Sequence, residues 1–99
     1  MPSKNLFKIN VSNMVSSSGN HVPNQFEIYG RDNAGFQFRI FQSYHTTIAK
    51  IYKGNVFLDA NNWEYSTTTG KYRNIFLNEK KQDTLKKIKS GEYTLINLN

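Results

Sequence analysis

Residues 63–74 read Trp-Glu-Tyr-Ser-Thr-Thr-Thr-Gly-Lys-Tyr-Arg-Asn, which brings the only tryptophan, two tyrosines, four hydroxyl residues and two cations into one short stretch. Aromatic rings interleaved with cations can stack on bases and neutralise phosphates. They can equally anchor a protein partner inside a charged rim. Trp63, Tyr65 and Tyr72 beside Lys71 and Arg73 are the candidate contacts, with Tyr44 as a further ring. The same residues also suit a structural role, with Trp63 plugging a sheet-to-helix junction and Tyr72 joining a helix core. Ser66–Thr69 can bind a phosphate at a helix N-terminus or simply cap the helix. Gly70-Lys71 lacks the G-x-x-x-x-G-K-[ST] spacing of a phosphate loop.

Catalytic chemistry has little to draw on. There are no cysteines, which removes disulfides, thiolate nucleophiles and cysteine zinc sites. His21 and His45 lack a partner at i, i+4 or an acidic neighbour, the setting that metal binding wants. Asp59 and Glu64 are near in sequence and could form a carboxylate pair for a magnesium nuclease. A metal-free ribonuclease built from Arg, Lys, Tyr and His is the other enzymatic option. Neither has a clustered set of groups behind it, so the expectation is a non-enzymatic protein with no metal and no cofactor.

The charge is polarised. The formal net charge is +6, and residues 71–89 hold Lys71, Arg73, Lys80, Lys81, Lys86, Lys87 and Lys89 against Glu79 and Asp83. Such a surface attracts polyanions: nucleic acid, or an acidic host protein or ribonucleoprotein. At helical spacing Asp83 can pair with Lys86 and Lys87, and Lys81 shares a side with Leu85 and Ile88 and must snorkel. Lys71, Arg73, Lys80 and Lys87 are therefore the expected free cations.

These residues must be positioned by one small domain, because 99 residues rarely make two. Residues 5–11 read as a short strand. Residues 12–24 are rich in Ser, Asn and Gly and read as a flexible loop. Gln25–Arg31 alternates Phe26 and Ile28 with Glu27 and Tyr29, and Phe36, Phe38 and Ile40 alternate with Gln37 and Arg39. With turn residues 32–35 between them, these make a β-hairpin of half-buried strands. Thr46–Tyr52 is a third core strand, and Val56–Leu58 follows a tight turn at 53–55.

From Thr69 onward the period becomes helical, with Tyr72, Ile75 and Phe76 on one face. A second helix is expected over Lys80–Lys89, with Leu85 and Ile88 inward and Gly91 closing it. Tyr93, Leu95 and Ile96 make a last strand. The fold class is α+β: an antiparallel sheet from the N-terminal half, one or two helices packed on it, and a short closing strand. No apolar run approaches the length of a membrane span and the N-terminus has no signal-peptide pattern. A soluble, cytoplasmic protein with no membrane partner is expected.

Two segments together resemble a small domain of unknown function found in tailed phages and related mobile elements. They are Phe41-Gln42-Ser43-Tyr44-His45-Thr46-Thr47-Ile48-Ala49 and the stretch from Leu58-Asp59 through Trp63, Tyr65 and Ser66 to Leu77. The resemblance covers residues from about 36 to the C-terminus and leaves 1–35 outside it. It implies a phage or prophage origin and carries no catalytic chemistry with it. Small phage proteins commonly bind nucleic acid or block a host machine, including CRISPR effectors. The sequence thus leads to a small nucleic-acid-binding protein using Tyr44, Trp63, Tyr65, Lys71, Arg73, Lys80 and Lys87. The alternative is an inhibitor of a host defence nuclease using the same patch.

Overall fold

Alternating apolar and polar residues build strands, and six of them form one sheet in the computed structural model, which describes residues 9–99. They are β1 (Ile9–Val15), β2 (His21–Arg31), β3 (Gln37–Ser43), β4 (Thr46–Tyr52), β5 (Asn55–Asp59) and β6 (Tyr93–Ile96). Their order across the sheet is their order in sequence. Neighbours from β1 to β5 are antiparallel, and β6 lies parallel to β5. A parallel return needs a long crossover, and here it is made by α1 (Thr67–Leu77) and α2 (Lys81–Ser90). The expected α+β architecture is the observed one. Among the described residues no helix is long and apolar enough to cross a membrane.

Both helices start and stop where local chemistry dictates. Ser66 Oγ accepts from Thr69 N at 3.1 Å, and Asn78 closes α1 in the left-handed region at φ 56°. Asn tolerates that conformation better than most residues. Asp83 Oδ2 accepts from Lys80 N at the start of α2 (3.4 Å), and Gly91 ends it at φ 83°.

The helices choose a face of the sheet that the hydrophobic alternation did not favour. Register pairs Glu27 with Phe41 and Phe41 with Ala49, and Ala49 in turn with Leu58. Paired residues share a face, and this is the covered one: Phe41, Ala49 and Leu58 are fully buried. They meet Trp63, Tyr72 and Phe76, and the rings of Phe41 and Phe76 lie 6.0 Å apart. A bulge in β4 lets Ile48 join Ala49 in that core, since Phe41 pairs with Ala49 and Gln42 with Thr47. Burying each of these large side chains is worth about 1.5–3 kcal/mol.

Phe26, Ile28, Phe38 and Ile40 occupy the opposite face, with Lys50, Tyr52 and Phe57. Among the described residues no helix covers them. The inward residues of the helices also differ from expectation. Ile75 and Leu85 are exposed, whereas Thr69, Arg73 and Thr84 are buried.

Residues 12–24 are not a loop. β1 runs to Val15 and β2 begins at His21, so only residues 16–20 connect them. Ser16 N donates to Asn20 O at 2.8 Å, and Gly19 at φ 87° turns the chain. The polar composition reflects an exposed edge hairpin rather than a missing ladder. Pro23 is accommodated because it lies between the paired positions His21 and Phe26, beyond the last rung with β3 at Gln25. The expected strand at 5–11 is found at 9–15, and residues 5–8 lie outside the described residues.

Candidate functional site

The seven candidate residues divide into a structural set and an exposed set. Trp63 and Arg73 belong to the first, at 7% and 1% exposure. Arg73 Nη1 donates to Trp63 O at 2.7 Å, and Nη2 donates to Asn74 Oδ1 at 2.9 Å. Its guanidinium lies 5.1 Å from the Trp63 ring centroid. Burial pushes its pKa down from the usual arginine value, with Glu64 and Glu79 pulling the other way. Arg73 therefore ties α1 to the chain leaving β5; it and Trp63 serve the fold, although Arg73 borders the groove beside Lys71. Tyr72 is buried with them.

Lys87 is also committed. Its ammonium meets Glu79 Oε1 at 2.7 Å and lies 5.3 Å from the Tyr93 ring centroid. The same carboxylate accepts from Thr84 Oγ1 at 2.6 Å and Tyr93 Oη at 2.8 Å. The expected Asp83 partnership is replaced because Glu79, just before α2, reaches under the helix. Burial works against ionisation of Glu79, but the three donors outweigh it and hold its carboxyl below the ordinary range. Burial and the bond to Glu79 push the Tyr93 hydroxyl up to about 12. The bond to Glu79 raises Lys87 above the usual lysine value. Sequence spacing could not reveal this hub, since its members come from the α1–α2 link, α2 and β6.

Asp59 and Glu64 do not converge into a carboxylate pair. Asp59 is buried, accepting from Asn62 Nδ2 at 2.6 Å and Leu98 N at 2.8 Å. Burial opposes its ionisation, and these donors more than compensate, so its pKa is lowered. Glu64 is exposed and pairs with Lys81 at 3.0 Å, which anchors the lysine expected to snorkel.

Glu79 and Asp59 together set an acid limit on stability. Both have folded pKa values below their unfolded ones, so their contribution is fully present above about pH 4.5. It is lost as pH falls through the lowered values. Urea unfolding is expected to show stability falling between pH 6 and pH 2.5, and the fall should shrink in Glu79→Gln. Lys87, raised when folded, contributes throughout the range below its unfolded value, so no comparable loss is expected up to pH 9.

The exposed set is Tyr44, Tyr65, Lys71 and Lys80. Tyr44 and Tyr65 are 59% and 76% exposed and line one groove of about 490 Å³ with Ser43, Thr46, Ser66 and Thr69. Ser66 also borders a second groove of about 810 Å³ lined by Lys71 and Ile75. The N-terminal turn of α1 thus carries a continuous surface from Tyr44 past Tyr65 to Lys71. Lys71 and Lys80 have no carboxylate within ion-pair distance among the described residues.

Tyr44 holds a positive φ of 55°. It is the first residue of a two-residue hairpin loop between the paired Ser43 and Thr46, a position that requires positive φ and favours Gly or Asn. Its N–H donates to Asn24 O at 2.7 Å and its carbonyl accepts from Gln42 Nε2 at 2.7 Å. A bulky residue in this conformation costs about 1 kcal/mol or more. Tyr44→Gly is expected to raise stability by about 1 kcal/mol in urea denaturation while weakening whatever the groove binds.

No curated protein and no solved structure matches the chain. One family does, over residues 9–92, which takes in the β1–β2 hairpin as well as the segments described above. On that extent the chain belongs to a family of unknown function, DUF8033.

Proposed function

We propose that this is a small non-enzymatic protein of phage or mobile-element type that binds single-stranded nucleic acid in the host cytoplasm. Tyr44 and Tyr65 stack on bases, and Lys71 and Lys80 contact phosphates. The observation that carries the reading is the pair of exposed tyrosines on one groove that continues to a cation with no carboxylate partner. Stacking is tolerant of sequence because every base has a π face, and nearby cations hold the backbone. The phage setting rests on the resemblance of residues 41–49 and 58–77. Fluorescence anisotropy with labelled oligothymidylate and oligouridylate tests the proposal. Binding that weakens as salt rises supports it, and no binding at low salt refutes it.

One observation favours the alternative, a protein that blocks a host defence nuclease. Ile75 is 46% exposed and lines the groove beside Lys71, and an apolar anchor next to aromatics suits a protein interface. Pull-down from host lysate separates the two readings. A partner that survives nuclease treatment and moderate salt favours the inhibitor, and a signal lost on nuclease treatment favours nucleic acid.

A further inference from the structure

The helix-free face of the sheet carries a second set of rings and cations, remote in sequence from the first. Phe38 pairs directly with Tyr52, and Lys50 with Phe57, so these four side chains share that face in two adjacent rows. Phe36 packs edge-on against Tyr52 with ring centroids 6.4 Å apart. Lys53 Nζ lies 4.2 Å from the Phe36 centroid and 5.3 Å from that of Tyr52, and Lys50 Nζ lies 5.2 Å from Tyr52. Phe36 is exposed and Phe38, Tyr52 and Phe57 are half-buried, so part of each ring is open to solvent. The core on the helix side includes none of these rings.

The electrostatics of this face select its occupant. Neither lysine pairs with a carboxylate among the described residues. The nearby anion, Asp32, accepts from Tyr52 Oη, Ala34 N and Phe36 N. Asp32 thereby fixes the turn and the Tyr52 ring and partly offsets Lys53, and the face keeps a net positive charge above the flat rings. An apolar protein surface would have to desolvate both lysines without compensation. A second copy of the chain would bring four like charges together. A single strand of nucleic acid satisfies both features, with unpaired bases for the rings and phosphates for the ammonium groups.

We infer that the helix-free sheet face is a second contact surface for single-stranded nucleic acid. Phe38, Tyr52 and Phe57 serve as stacking positions, and Lys50 and Lys53 as phosphate partners. The inference takes its ligand class from the proposed function but uses a surface on the other side of the sheet, so the two can fail separately.

Titration of the ¹⁵N-labelled chain with dT12 at low salt tests it. The backbone amides of Phe38, Lys50, Tyr52 and Phe57 are expected to shift. Lys50→Glu/Lys53→Glu should raise Kd about tenfold and shrink the slope of log K against log salt by about 1.4. Lys50→Gln/Lys53→Gln, gentler on the fold, should act in the same direction. Shifts confined to Tyr44, Tyr65 and Lys71 would overturn the inference and leave the proposed groove standing. Shifts confined to the sheet face would do the reverse. Face amides that move on dilution without oligonucleotide would show a second copy seated there and would also overturn it.

Discussion

Arg73→Ala is expected to destabilise the protein by about 3–5 kcal/mol, the combined cost of leaving a buried carbonyl without its donor and of emptying the space of a large buried side chain. The Trp63 carbonyl loses its donor, Asn74 loses a partner, and a cavity opens against the Trp63 ring. For a domain of this size each kcal/mol lowers Tm by about 4–8 °C, so thermal unfolding followed by circular dichroism should show a fall beyond about 12 °C. Arg73→Lys should recover little, because one ammonium cannot reach two acceptors while stacking flat on the indole. If Arg73→Ala melts within a few degrees of the parent chain, the guanidinium is not structural and returns as a candidate ligand contact. The practical consequence is direct: charge reversal at Arg73 would report on folding, so binding tests belong on Lys71 and Lys80.

Arg73 also shows where sequence reasoning stops. Arginine is rarely buried, so a cation beside Lys71 reads naturally as surface. Only the fold reveals that the residue lies under the chain leaving β5. The strands themselves were legible. The alternation of Gln25–Arg31 and the β-branched run Thr46–Tyr52 fall where the structure has β2 and β4, and Ser66 and Gly91 bound the helices through their capping chemistry, while the cap at Asn78 emerges only from the structure.

The face on which the helices dock was not legible. In β2 and β3 the more apolar row, Phe26, Ile28, Phe38 and Ile40, points away from them. The choice is made by a tertiary match between Phe41, Ala49 and Leu58 and the rings of Trp63, Tyr72 and Phe76. The polar β1–β2 hairpin was missed for a related reason, since an edge hairpin can keep its ladder while burying few side chains, here chiefly Met14 and Gln25. Lys87 was misread because its partner Glu79 lies outside the spacing of side-chain pairs within one helix. Tyr44 and Tyr65, by contrast, were picked out from the sequence and are exposed together on one groove.

The second large effect concerns those tyrosines. Tyr44→Gly/Tyr65→Ala removes both stacking faces while relieving the backbone of residue 44, so the variant should stay folded. Each stacked base is worth about 1–3 kcal/mol. The pair together should therefore cost at least about 2 kcal/mol, roughly a thirtyfold rise in Kd for oligothymidylate. Loss of affinity in a chain at least as stable as its parent cannot be ascribed to unfolding. If the variant binds as tightly as the parent, the groove is not a stacking site. If instead a host protein loses its grip while oligonucleotide affinity is unchanged, the inhibitor reading gains.

The proposed grip of cations near the start of α1 and α2 on a nucleic-acid backbone makes oligonucleotide affinity depend on salt through Lys71 and Lys80. Anisotropy titrations of the parent and of Lys71→Glu/Lys80→Glu should be run over a range of salt concentrations. The parent should show a linear fall of log K with log salt. In the variant the slope should be shallower by about 1.4, two phosphate contacts at about 0.7 each, with weaker binding to every sequence tried. Both side chains are exposed, so the variant should melt close to the parent. A variant with unchanged affinity and unchanged slope would contradict the account.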